Sequence, residues 1–205
     1  MKTIRMVLSL VGAAALAVAA QARLVTLDTS SLAGTGTYYV DFQLNDGNSV
    51  GDGNNSAYIT NINVGGGSIA GPASAWGGVT GDLSVGISLD DTEAFNEFFQ
   101  AFLPGSFFSF ELSLTNNFNG AIPDLFGFAI LDENLFNLPT HAPGSDQLLT
   151  VELNGGERVW QTYGTTSGIA APSVPDAGST ALLLAAGLIG VAGLRHVARR
   201  AAAAA

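Results

Sequence analysis

The chain has 205 residues, 47% of them hydrophobic and 12% charged, with 26 Gly, 12 Phe and no Cys. The missing cysteine excludes disulfides, thiolate metal sites, Fe–S clusters and a cysteine nucleophile, so stability must come from packing and from ions. The ends, residues 1–22 and 174–205, have the wrong composition for a soluble core; the middle, about 150 residues, is long enough for one core that buries roughly two-thirds of the unfolded surface.

Between those ends the only Lys or Arg residues are Arg23 and Arg158, whereas sixteen of the seventeen acids lie between Asp28 and Glu157, giving 2 − 16 = −14. A field of that sign repels phosphate, and there is no basic cluster to release counterions, so a nucleic-acid partner is excluded. The same field favours cations and solubility.

Residues 1–22 read as a secretory signal peptide. Lys2 and Arg5 form a positive start, Met6 to Ala20 an apolar run, and Ala20 and Ala22 flank Gln21 as the small residues of a cleavage site, so cleavage is expected before Arg23. The run is short for an uncleaved span.

Period-2 alternation dominates the middle. Tyr38 to Leu44, Leu83 to Leu89 and Phe108 to Leu114 alternate apolar with polar or small residues, and Leu24 to Asp28, Ala57 to Val64, Leu125 to Leu131, Leu148 to Leu153 and Val159 to Tyr163 read likewise between Gly, Asn, Asp and Pro punctuation. With the segment considered next, about nine strands result, and the fold class is all-β: an antiparallel β-sandwich of jelly-roll-like type over residues 23–163. Asn154-Gly155 signals a two-residue type I′ hairpin. Thr92 to Leu103 has two readings: Phe95, Phe98, Phe99 and Phe102 have helical spacing, yet Phe suits a bulged strand. Eleven of the twelve Phe lie between Phe95 and Phe136, a density that core packing explains.

Asn45 to Asn55 carries side-chain oxygens and glycines at the density of a calcium loop, with Asp46, Asp52 and Asn54 the candidate ligands. The EF-hand register fails, because Val50 and Ala57 stand where ligands should be, and the same residues also suit a plain turn-rich loop. Enzymatic constellations are weaker. His141 is the only His before the tail, and Ser145 and Asp146 lie too near it in sequence for a triad; Asp91, Glu93, Glu97 and Glu111 are the acids near aromatic residues and also suit solvated element ends. Gly65-Gly66-Gly67 precedes no phosphate-loop Lys and reads as a flexible connection. No catalytic residue is assigned, and no activity is expected.

Residues 164–179 read as a linker carrying a Pro-acid motif, 180–198 as an apolar run near the lower limit for a transmembrane helix, and 199–205 as a cytoplasmic tail. Arg195, Arg199 and Arg200 form the stop-transfer cluster that keeps this end inside. Val174, Pro175, Asp176, Ala177 and Gly178, then Ser179-Thr180-Ala181 and a Leu-rich run, resemble the PEP-CTERM class of bacterial sorting tails in its Val-Pro-Asp-Ser-Gly variant, with Ala177 in place of the usual Ser. The resemblance implies recognition by exosortase, a membrane-embedded cysteine protease-transpeptidase of bacteria that make an exopolysaccharide. It implies export, a transient inner-membrane anchor and then delivery to the cell surface or matrix. Leu27 to Ser30, Asp41 to Leu44, Gly51 to Asn55 and Phe128 to Asp132 resemble a family of secreted domains that carry such tails, and this second resemblance implies no activity. The functional expectation is a structural or adhesive protein of an exopolysaccharide or biofilm layer. The alternative is a glycan-binding module, calcium-assisted, which would gather Trp76, Trp160, Tyr38 or Tyr163 on one exposed face.

Overall fold

The structure, a computed structural model, describes residues 22–175. The signal peptide apart from Ala22, the motif residues Asp176, Ala177 and Gly178, the membrane helix expected at 180–198 and Arg195, Arg199 and Arg200 lie outside the described residues. Among the described residues no helix is long and apolar enough to cross a membrane.

The described chain forms the strands β1 (Arg23–Asp28), β2 (Tyr38–Asn45), β3 (Ser56–Asn63), β4 (Ser68–Trp76), β5 (Gly78–Asp82), β6 (Gly86–Asp90), β7 (Phe95–Leu103), β8 (Phe107–Leu114), β9 (Asp124–Leu131), β10 (Leu149–Leu153) and β11 (Val159–Thr162), with one 3₁₀ turn at Ser30–Leu32. They make two antiparallel sheets, of order β1-β8-β3-β6-β5 and β11-β10-β9-β2-β7-β4. Alternation puts Val40, Phe42 and Leu44 of β2, Phe108, Phe110 and Leu112 of β8, and Phe126, Phe128 and Ile130 of β9 into one core between the sheets. Phe42 is its centre: its ring lies 5.1 Å from Phe110, 5.2 Å from Phe128 and 6.3 Å from both Phe98 and Phe126.

Of the two readings of Thr92 to Leu103 the strand holds and the helix does not: Phe95–Leu103 is β7, paired with β2 on one side and β4 on the other. Phe98 and Phe102 face the core while Phe95 and Phe99 take the outer face, so the four rings divide by strand parity. Tertiary pairing on both flanks decides against the helix, since a helix would leave β4 without a sheet partner and one edge of β2 unpaired. Strands β4 and β5 have no counterpart in the expected set; Pro72 and Gly71, with its φ of +66°, interrupt β4, and β5 holds two glycines. Both are edge strands, stabilised by one neighbour's backbone, and Pro and Gly are tolerated there. The strand expected from Leu83 begins only at Gly86: Leu83 is an anchor buried in the preceding turn, where its amide donates to Gln100 Oε1 at 2.9 Å, and Val85 is exposed.

The Asn154-Gly155 turn is longer than the expected two-residue type, because β10 ends at Leu153 and β11 starts at Val159. Only Gly155 has positive φ, while Asn154 Oδ1 accepts from the Gly156 amide and Asn116 Oδ1 from the Gly155 amide. Gly65 and Gly67 form a tight turn: a Cβ at Gly65 would collide with the backbone of Phe107 at the start of β8, and one at Gly67 with the backbone from Leu103 to Gly105. The stretch 164–175 runs against the sandwich, with Thr165 and Pro172 buried and Ile169 in the core cluster.

Phe110→Ala should destabilise the domain by about 3–5 kcal/mol through lost transfer energy and the cavity left. Ser113→Ala, on the opposite face of β8, should change stability by less than about 0.5 kcal/mol. Denaturant melts of the two variants check this, and equal effects would refute the assigned parity.

Candidate functional site

Two polar clusters sit on this scaffold. The first closes one end of the sandwich, where the β2–β3 loop meets the β6–β7 and β8–β9 connections. Asp46 is buried and its carboxylate holds its own loop: Oδ1 accepts from the Asn48 amide at 2.7 Å, and Oδ2 from the amides of Gly51 at 2.8 Å and Asp52 at 3.2 Å. Asp52 accepts from the Asn54 amide at 3.1 Å and from Asn54 Nδ2 at 2.7 Å, and Asn119 Nδ2 adds a donor at 3.2 Å. Of the three expected cation ligands the structure thus brings Asp52 and Asn54 together and turns Asp46 to the loop backbone. Among the described residues no group of three or more His, Asp or Glu side chains is placed to hold a metal ion.

Beneath the loop lies Asn55, fully buried. Its backbone amide donates to both oxygens of Asp91, at 3.0 and 3.1 Å, and its Nδ2 to Asp124 Oδ2 at 2.6 Å and the Asn117 carbonyl at 2.8 Å, while its Oδ1 accepts from the Asn117 amide and Thr115 Oγ1. Asp124 Oδ1 takes the Gly47 amide at 3.0 Å. Asn55 therefore ties three loops into one rigid end, since a buried amide with all its groups engaged costs several hydrogen bonds to move. Burial pushes the Asp91 carboxyl up to about 7, and the Asp124 carboxyl beside it adds to the rise.

The second cluster lies on the outer face of the six-stranded sheet. Register aligns Trp76 of β4, Glu97 of β7, Gln43 of β2, Gly127 of β9, Thr150 of β10 and Gln161 of β11 in one row across all six strands. Gln43 Nε2 donates to Asp41 Oδ2 at 2.7 Å and to Glu97 Oε1 at 3.3 Å, and the Gln147 side chain covers Gly127. Asp41 is only 2% exposed although it faces outward, and its Oδ1 and Gln147 Oε1 are buried without a hydrogen-bond partner. Burial first, and the Glu97 charge second, push the Asp41 carboxyl up to about 7; burial also raises Glu97.

The four acids singled out from the sequence separate: Glu97 joins Asp41, Asp91 joins Asp124, Glu93 lines a shallow depression with Trp76, and Glu111 pairs across strands with Leu24 and Thr60. Asp146 accepts from the Thr140 amide. The aromatics do not gather, because Trp76 and Trp160 lie on opposite edge strands and opposite faces of the same sheet: Trp160 pairs with core-facing Val151, Trp76 with outward-facing Glu97. Asp41, Asp124 and Gln147 escaped the sequence reading, and only Asp41, an acid flanked by apolar residues inside a strand, left a signal. The start of the Pro-acid motif is built into the fold: Ser173 and Thr26 exchange backbone hydrogen bonds of 2.8 and 3.1 Å, and Val174 packs on the core.

Residues 173–196 match the VPDSG-CTERM motif, a PEP-CTERM-like sorting tail. No curated protein and no solved structure matches the chain.

A carboxyl raised in the folded state stabilises the fold fully below its ordinary pKa of 3.8, and that stabilisation is lost as pH rises through about 7. The domain should therefore melt at a higher temperature at pH 5.5 than at pH 8 at constant ionic strength. Asp41→Asn, which cannot ionise, should flatten the slope by up to about 1.4 kcal/mol per pH unit. Melts that are identical across this window would show that neither Asp41 nor Asp91 holds its proton.

Proposed function

We propose that this chain is a non-catalytic, exosortase-sorted protein whose jelly-roll-like sandwich works in a structural or adhesive role at the cell surface or in an exopolysaccharide matrix. The sorting motif points to an exported protein processed by an exosortase-type enzyme. In this reading the helix expected at 180–198 anchors the chain in the inner membrane until processing.

The observation that carries the adhesive role is the loop end of the sandwich. Val50, Phe118 and Ile122 are exposed there on two loops that Asn48 ties together, its Nδ2 donating to the Asn119 carbonyl at 3.0 Å and its Oδ1 accepting from the Ala121 amide at 3.2 Å. Exposed apolar side chains on a rigid, hydrogen-bonded end favour contact with a partner surface, because little loop entropy is lost on binding. The position of the ends supports delivery of the whole domain. The expected signal cleavage point adjoins the first residue of β1, and the sorting motif begins beside Thr26 of the same strand.

A glycan-binding role is the second reading, and the polar row from Trp76 to Gln161 favours it. Amide and carboxylate groups in line across a sheet, with an indole 69% exposed at one end, suit sugar hydroxyls and a pyranose face. Calcium assistance would require Asp46, Asp52 and Asn54 to exchange their internal hydrogen bonds for the ion. A glycan screen of the exported protein with and without calcium separates the two readings: retention of a defined oligosaccharide, lost in Trp76→Ala, would favour the module.

Removing residues 176–205 should release a folded domain into the medium. Cutting at residue 163 should lower stability by about 2–5 kcal/mol, the range for losing a large buried aliphatic such as Ile169. Full-length protein that keeps its C-terminus in cells with active exosortase would overturn the sorting role.

A further inference from the structure

The sorting motif does not hang clear of the domain at its first residue. Just before it, Ser173 and Thr26 exchange both backbone hydrogen bonds, at 2.8 and 3.1 Å, in an antiparallel bridge on the outer edge of β1. That direction sets Val174 beside Val25 and Pro172 beside Leu27, and burial follows the same parity. Val25 and Leu27 are in the core, Pro172 is buried and Val174 packs on the core cluster, whereas Ser173 is exposed. Residues 172–174 are thus a short extra strand added to the five-stranded sheet. The next residue of β1 with outward-facing backbone groups is Leu24, and the residue in register with it is Pro175, which has no N–H to donate. The ladder therefore stops after one bridge, at the second residue of the motif.

An enzyme that reads a short segment in extended form needs both its backbone groups and its alternate side chains. Here the Val174 side chain is spent on the core and the backbone beside it on β1. Five residues separate Val174 from the apolar run expected at 180–198, a tether of at most about 20 Å. Peeling off residues 172–174 lengthens it by about 10 Å and frees the motif in one step. One bridge and one side-chain contact near the end of the domain belong to the least stable part of a fold, so such opening is local and leaves the sandwich intact.

We propose, building on the sorting role above, that residues 172–174 gate the processing of this tail: docked on β1 they withhold the motif, and the exosortase-type enzyme engages only chains in which they have peeled away. The observed rate is then the rate on the open form scaled by the fraction open.

The absence of cysteine from the chain allows a reversible test. Cα atoms of a hydrogen-bonded antiparallel pair lie about 5.5 Å apart, within reach of a disulfide, and the Thr26 and Ser173 side chains share the outer face. Full-length protein carrying Thr26→Cys with Ser173→Cys would be followed by pulse-chase in cells with an active exosortase-type enzyme, with and without reductant. The oxidised double variant should be processed about tenfold more slowly or worse than wild type. Its reduced form should match wild type under the same reductant, and each single variant should match wild type throughout. Thr26→Pro, which deletes the amide that donates to Ser173, should speed processing about fivefold, the factor for one lost hydrogen bond. A six-residue Gly/Ser spacer between Ser173 and Val174 frees the motif while keeping the bridge, and it should restore processing of the oxidised double variant; a misfolded domain gains nothing from it. An oxidised double variant processed at the wild-type rate or not rescued by the spacer, or Thr26→Pro processed at the wild-type rate, would overturn the gate and leave the sorting role standing. Wild-type protein that keeps its tail in the same cells would overturn the sorting role, and the gate with it.

Discussion

Everything in this domain depends on the contact of phenylalanine rings across the gap between two sheets. Phe42 of the six-stranded sheet meets Phe110 of the five-stranded one edge to face, at 5.1 Å and 77°, and Phe108 and Phe110 both reach Phe128. With no cysteine to cross-link the chain, this interlock sets the sheet spacing and the strand parity on both sides. A large, rigid, two-sided aromatic layer tolerates little sliding, because a one-residue slip would send every ring of a strand to the solvent face.

Once the rings fix parity, the polar residues have no choice of face. Asp41 must point outward between Tyr39 and Gln43, yet on a strand flanked by β7 and β9 it is left almost no solvent, and burial pushes its carboxyl up to about 7. Asp91 and Asp124 close the sandwich end under Asn55, and one of them shares the same fate for the same reason. The domain is strongly acidic, so these two carboxyls limit its own electrostatic repulsion as well as their desolvation.

Edges are managed by composition and by cover. Pro72 and Gly71 interrupt β4, β5 and β11 are short, and the outer side of β1 is bonded to Ser173. The first residues of the sorting motif therefore serve the fold before they serve processing, and the same edge brings Arg23 to the mouth of β11, where Trp160 and Arg158 receive it. Protection of an edge strand and the seating of Arg23 on Trp160 are two consequences of one arrangement of chain ends.

The sequence alone determined the strands whose buried faces alternate. In β2, β8 and β9 the hydrophobic effect writes the fold residue by residue, and the tail was legible because its motif acts as a linear signal. It left β7 open, since Phe95, Phe98, Phe99 and Phe102 satisfy two periods and only pairing with β2 and β4 selects one. It missed β4 and β5, which gain little from side-chain burial and much from a neighbour's backbone. The meetings of Asp41 with Glu97, of Asp91 with Asp124 and of Arg23 with Arg158 join residues 56, 33 and 135 positions apart. Charge carries no periodicity that marks its partner in a linear chain, so these sites exist only once packing of the apolar faces has set the register that brings the charges together.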